Sequence, residues 1–188
     1  MAEVYMAGDL RNGTTFEMEG SVYKVVEFQH VKPGKGSAFM KMKLRNLRTG
    51  SLVEETYNTN IKIEKARVER LPMQYLYSMG DSYVFMNTET YEQLELPESK
   101  IADQVKFLKE GLDITISMYE GEMLGVQLPE KVEYEIVETS EAVKGNTTNN
   151  ATKDAKIETG HTVKVPLFIS QGEKVLISTQ DGKYAGRA

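Results

Sequence analysis

The chain has 188 residues but no cysteine and no tryptophan, and only two histidines and five prolines. Without cysteine there is no disulfide, no thiol nucleophile and no cysteine-ligated metal. His30 and His161 are the only imidazoles. They lie far apart in sequence, and neither sits in a cluster of carboxylates, which is a poor basis for a zinc site. No apolar run is long enough to cross a bilayer. The first residues lack a basic segment leading into an apolar one, so no secretory signal is expected and the cytoplasm is the expected compartment. An overall excess of positive charge is missing too. With 23 basic and 28 acidic side chains, the net charge of -5 argues against a generally basic nucleic-acid binder.

The charge that is present is unevenly spread. Between Lys24 and Arg48 there are seven basic residues and a single acid, Glu27, a local charge of +6. The stretch from Glu64 to Leu128 has six basic and twelve acidic residues and carries -6, and the remainder from Pro129 carries -1. Strand signals dominate throughout. Val22–Phe28 is rich in β-branched and aromatic residues. Phe39–Arg45 alternates, with Met40, Met42 and Leu44 on one parity and Lys41, Lys43 and Arg45 on the other. Lys41, Lys43 and Arg45 are therefore expected together on a wet face.

Short strands with tight turns predict an all-β chain of three small barrels in a row: an SH3-like barrel over residues 1–63, then OB-like barrels over 64–128 and 129–188. One helix is expected after Pro97, with Ile101, Val105 and Leu108 as its apolar stripe and Gly111 as its stop. Tyr91–Leu96 reads as a strand. Pro166 marks its own strand as an edge or bulged strand. The polar run from Gly145 to Lys153 reads as a surface loop.

The segment His30-Val31-Lys32-Pro33-Gly34-Lys35-Gly36-Ser37-Ala38-Phe39 carries the sharpest signal. It reads as a hairpin whose tip pushes Lys35 away from the barrel, with Pro33 fixing one backbone angle and Gly34 and Gly36 permitting unusual ones. Alone, such a PGKG turn is an ordinary solvated hairpin. A lysine enzyme would need a pocket that lowers the amine pKa and acid–base partners nearby, and the tip supplies neither. No catalytic residue and no cofactor is assigned.

Three separated motifs give the tip a context: residues 30–39, Met86-Asn87-Thr88-Glu89-Thr90-Tyr91-Glu92-Gln93, and Gly160 with Val163–Phe168 and Gly172. In this order they make the chain resemble bacterial translation elongation factor P. The resemblance implies a KOW-like first barrel, two OB-fold barrels and an elongated shape like that of transfer RNA. It implies a monomeric, non-enzymatic factor that binds the 70S ribosome between the P and E sites, outside any membrane. There the factor would promote peptide bond formation at stalled polyproline sequences by positioning peptidyl-tRNA.

Lys35 matches the family's functional tip and site of covalent extension. A lysyl-type or aminopentanol-like group, added by a Lys35-modifying enzyme, fits a lysine there, whereas the rhamnosylated-arginine branch does not. Pro33, Gly34, Gly36, Ser37 and Ala38 would shape the loop. His30, Lys32, Lys41, Lys43 and Arg45 are candidate contacts to rRNA or tRNA, and Lys24 and Arg48 extend the cluster. Gly145 and Asn146 match a loop that approaches the E-site mRNA codon, although many members carry Gly-Asp there. Tyr184 and Arg187 are candidate contacts near the C-terminus. The alternatives are a general RNA-binding OB-fold protein without a specific role in proline stalling, a permanent ribosomal component, and the hypusine-bearing archaeal and eukaryotic relative. The third barrel marks the bacterial form.

Overall fold

The structure is a computed structural model, and it describes residues 3–140 and 151–188. The first sheet is built from β1 (Val4–Met6), β2 (Thr15–Met18), β3 (Ser21–Val31), β4 (Phe39–Asn46), β5 (Leu52–Asn58) and β6 (Lys62–Lys65), in the order β1-β6-β2-β3-β4-β5. Alternation decides what it buries. Met40, Met42 and Leu44 of β4 point inward against Leu10, Phe16, Val25 and Ile63, all nearly or completely buried. At roughly 25 cal/mol per Å² of apolar surface, each such side chain contributes on the order of 2 kcal/mol.

The second sheet is formed by β7 (Glu69–Met79), β8 (Ser82–Asn87), β9 (Gln93–Pro97), β10 (Asp113–Tyr119) and β11 (Glu122–Gln127), in the order β11-β10-β7-β8-β9. The third is formed by β12 (Lys131–Thr139), β13 (Thr152–Ile157), β14 (Thr162–Pro166), β15 (Lys174–Ser178) and β16 (Tyr184–Arg187), in the order β14-β13-β12-β15-β16. Pro166 closes β14, an edge strand, the place in a sheet that tolerates a residue without an N–H.

Two compact units emerge from these sheets. One holds residues 1–70 with the hairpin tip 117–125; the other holds 71–116 and 126–188. In the first, Tyr119 and Leu124 of the tip pack with Val22 and Ala66, and the Tyr119 hydroxyl donates to the Glu17 carboxylate. That hydrogen bond, then burial, then the charges of Glu17, Glu120 and Glu64 push the Tyr119 pKa up to about 12. Arg48 donates to the Gly20 carbonyl and pairs with Glu122 at 3.1 Å, so it is engaged within this unit.

The expected helix from Pro97 to Gly111 is much shorter than its apolar stripe suggests. α1 covers only Glu98–Ile101, and Val105–Phe107 forms a separate 3-10 turn. Past Ile101 the backbone closes i→i−3 bonds instead, from the Gln104 N–H to the Ile101 carbonyl and from the Phe107 N–H to the Gln104 carbonyl, both 2.9 Å, and side chains from β12 and from the turn after β13 hold the segment that follows. The Tyr134 hydroxyl donates to the Phe107 carbonyl, and Thr159 Oγ1 donates to the Lys106 carbonyl at 2.7 Å. Tyr134 is fully buried, and burial raises its pKa.

A second departure concerns Tyr91, expected in a strand. β9 begins at Gln93, and Tyr91 lies in the preceding turn with φ +62°. The Asn87 side chain takes the backbone N–H groups of Glu89 (2.8 Å) and Thr90 (3.1 Å), which turns the chain before β9 can start.

Candidate nucleic-acid interface

β3 and β4 form a long antiparallel hairpin, paired from Tyr23 and Asn46 out to Val31 and Phe39. Residues 32–38 close it. Lys32, Pro33, Gly34, Lys35, Gly36 and Ser37 are exposed, while Ala38 is half-buried and its carbonyl accepts the Thr59 N–H at 3.2 Å. The loop is thus tied down at its base and open at its tip. Among the described residues no ion pair involves Lys35.

The two tip glycines differ. Gly36 has φ +100°, a conformation that disfavours any Cβ. Gly34 does not occupy that region, and a Cβ there would meet nothing within 4 Å. Contrary to the sequence-based expectation, the fold itself does not require glycine at 34.

Below the tip, register sets the electrostatics. Lys41 is flanked by Gln29 and Thr56, Lys43 by Glu27 and Glu54, and Arg45 by Lys24 and Leu52. Lys41, Lys43 and Arg45 share one face as alternation requires, with Lys41 and Arg45 exposed and Lys43 half-buried. Two carboxylates bracket Lys43, so the face is less cationic than the local sequence count implies. Glu27, Gln29, Lys41, Lys43, Glu54 and Thr56 help line an open groove of about 520 Å³.

The opposite face of the hairpin carries exposed His30, opposite Met40, and Phe28, opposite Met42. The Arg11 guanidinium sits 5.3 Å from the Phe28 ring centroid and donates to the carbonyls of Gly8 (2.9 Å) and Leu10 (2.8 Å). Sequence reasoning missed Arg11 and Phe28. A bulge between Val25 and Glu27 shifts the register of β3, so simple alternation does not extend across it.

In the other unit, Tyr184 is half-buried on β16 opposite Ile177. Arg187 pairs with Glu173 at 3.4 Å and stacks 4.7 Å from the centroid of Phe168, a ring 60% exposed. Gly145 and Asn146 lie outside the described residues. His161 packs edge-on to Phe107 at 6.2 Å, and burial followed by the Lys106 charge lowers its pKa. Among the described residues no cluster of three His, Asp or Glu side chains could hold a metal, and no helix is long and apolar enough to span a membrane.

Family models match three successive parts of the chain: an Elongation factor P KOW-like domain at residues 6–63, an Elongation factor P OB domain at 68–126, and an Elongation factor P C-terminal domain at 132–187. The chain belongs to the elongation factor P family. Among solved structures it is similar to a eukaryotic translation initiation factor 5A from Methanococcus jannaschii, with 26% identity and a TM-score of 0.54 over 68% of this chain and 95% of that one. A translation initiation factor 5A family protein from Naegleria fowleri shares the fold at 20% identity and a TM-score of 0.51, over 68% of this chain and 99% of that one. The three all-β parts are the family's KOW-like barrel and its two OB-type curled sheets. As an elongation factor P family member, the chain acts in translation elongation, with the ribosome and tRNA as its general partners.

Proposed function

We propose that this elongation factor P family member occupies the ribosome between the P and E sites and extends Lys35 toward the acceptor end of peptidyl-tRNA. It steadies the tRNA and nascent chain where consecutive prolines stall synthesis. The ring of proline restricts its geometry and its imino nitrogen attacks slowly, so a larger fraction of reactive encounters raises the rate without any acid, base or nucleophile from the factor. The protein itself is not an enzyme. The observation that carries this reading is the tip: an exposed lysine on a seven-residue loop that is anchored only at its base.

Lys35 is the modification site, and a lysyl-type or aminopentanol-like extension lengthens its reach. Lys32, His30, Lys41 and Arg45 contact rRNA or tRNA phosphates, with Lys43 contributing less because of its two glutamate neighbours. Tyr184 and Arg187 make contacts away from the tip, and Gly145 and Asn146 approach the E-site codon. We place the domain boundaries at 1–63, 64–128 and 129–188, and the factor works as a cytoplasmic monomer.

The test is peptide synthesis on purified ribosomes with a three-proline message, comparing protein from its native host, unmodified recombinant protein and Lys35→Ala. The native protein should relieve the stall and Lys35→Ala should not, and the unmodified sample reads out the contribution of the extension. A stall that persists with all three, while a control factor relieves it, overturns the proposal.

A further inference from the structure

The turn between β8 and β9 presents a side chain at odds with its surroundings. Tyr91 is 73% exposed, and its backbone sits at φ +62°, where glycine is at ease and a ring-bearing residue is strained. The position is nevertheless firmly built. The Tyr91 N–H donates to the Asn87 carbonyl at 2.8 Å, and the Asn87 N–H donates to the Glu92 carbonyl at 2.8 Å. The Thr88 N–H donates to the Pro72 carbonyl at 3.0 Å, and the buried Asn87 side chain holds the N–H groups of Glu89 and Thr90. A large apolar ring is therefore held in solvent on a fixed backbone, with little conformational freedom left to lose on binding.

Charge identifies the occupant. Glu89 and Glu92 lie within two residues of Tyr91 in the same turn, both are exposed, and neither forms an ion pair among the described residues. They belong to the stretch whose net charge is -6, which repels phosphate. We infer that Tyr91, with Glu89 and Glu92, is a docking point for a basic protein surface, on which an arginine or lysine stacks against the ring while its charge meets the two carboxylates. Tyrosine and arginine are the residue types that concentrate binding energy at protein interfaces, and a cation over a tyrosine face is attracted by the ring's quadrupole. The inference rests on the proposed ribosomal role, because the ribosome is where such a partner would be met, yet it concerns a surface distinct from the Lys35 tip.

Substitution to glycine separates binding from folding. Tyr91→Gly fits φ +62° without strain, so its melting temperature should be unchanged or higher, while affinity for stalled 70S ribosomes should fall by about ten-fold, as for loss of an aromatic anchor. Replacing both flanking acids, Glu89→Gln with Glu92→Gln, gives a test of sign. A basic protein partner predicts several-fold weaker ribosome binding, whereas an RNA partner predicts tighter binding. A photoreactive benzophenone amino acid in place of Tyr91, on ribosomes bound by the full chain, should cross-link to a protein.

Unchanged affinity for Tyr91→Gly, tighter binding of the double glutamine variant, or a cross-link to rRNA each overturns the inference. Lys35→Ala, run in parallel, keeps the two readings apart, since it should lose stall relief while retaining the cross-link from position 91. If the unsubstituted chain relieves stalling but Tyr91→Gly is indistinguishable from it, only the docking surface falls. If the unsubstituted chain does not bind ribosomes, both fall.

Discussion

Two glycines one residue apart, Gly34 and Gly36, illustrate how position changes the meaning of a residue type. At φ +100°, Gly36→Ala carries a backbone strain on the order of 1 kcal/mol. Gly34→Ala carries none, since its added Cβ meets open space. Thermal unfolding should therefore separate them, with Gly34→Ala melting like the unsubstituted protein and Gly36→Ala melting lower. Loss of stall relief in Gly34→Ala despite a normal melting curve would locate the need for glycine in the partner's crevice. Lys41 and Lys43 form a similar contrast. Lys41 faces Gln29 and Thr56, whereas Lys43 faces Glu27 and Glu54. Lys41→Ala should flatten the salt dependence of ribosome binding by roughly one phosphate contact, and Lys43→Ala by less.

At the scale of elements, the strands were readable because a half-buried strand repeats every two residues, and Phe39–Arg45 does so cleanly. Three features were not, each for a physical reason. The helix after Pro97 stops at Ile101, where the backbone goes over to i→i−3 bonds, and Tyr134 and Thr159, distant in sequence, hold the carbonyls of Phe107 and Lys106 beyond it. Tyr91 leaves its strand because the Asn87 side chain makes an Asx turn and the Asn87 carbonyl takes the Tyr91 N–H, which carries the turn on into a run from Tyr91 to Leu96 that reads as strand by itself. Phe28 escaped notice because a bulge resets the facing of β3, and Arg11 because its place over the Phe28 ring is set by a tertiary contact seventeen residues away in sequence.

The first of these has a measurable cost. Tyr134→Phe leaves the Phe107 carbonyl without its buried donor and should destabilise the protein by roughly 1–2 kcal/mol, seen as a lower melting temperature. The Tyr119–Glu17 bond makes a pH-dependent contribution. A pKa raised from 10.0 to about 12 on folding means that the native state favours the protonated phenol. That contribution is fully present below pH 10 and is lost as pH climbs toward 12. Tyr119→Phe should therefore melt lower than the unsubstituted protein at pH 8, and the gap should narrow across that alkaline window.

For the whole molecule, the decisive quantity is the distribution of charge along the chain. A net charge of -5 with a +6 segment around the tip means that attraction to phosphate is local. Free RNA should bind weakly at physiological salt, and ribosome affinity should exceed it by far; binding assays with duplex and single-stranded RNA beside 70S ribosomes check this. Comparable affinity for all three would favour a general RNA-binding protein instead. The three-part architecture was legible because each family segment has its own turns and strand set. The division into two compact units was not, since it depends on the tip residues 117–125 packing with residues 1–70.

The hairpin supports its tip without relying on it. The backbone bonds that shape the loop stop at Ala38 and Phe39, and Gly34, Lys35, Gly36 and Ser37 remain exposed beyond them. Position 35 can therefore be lengthened after the chain has folded, with no core to repack and no strand to re-register. With the extension proposed for Lys35, maturation would be a separate, later step: a folded stock of the protein could be finished to a greater or lesser extent, and its capacity adjusted accordingly.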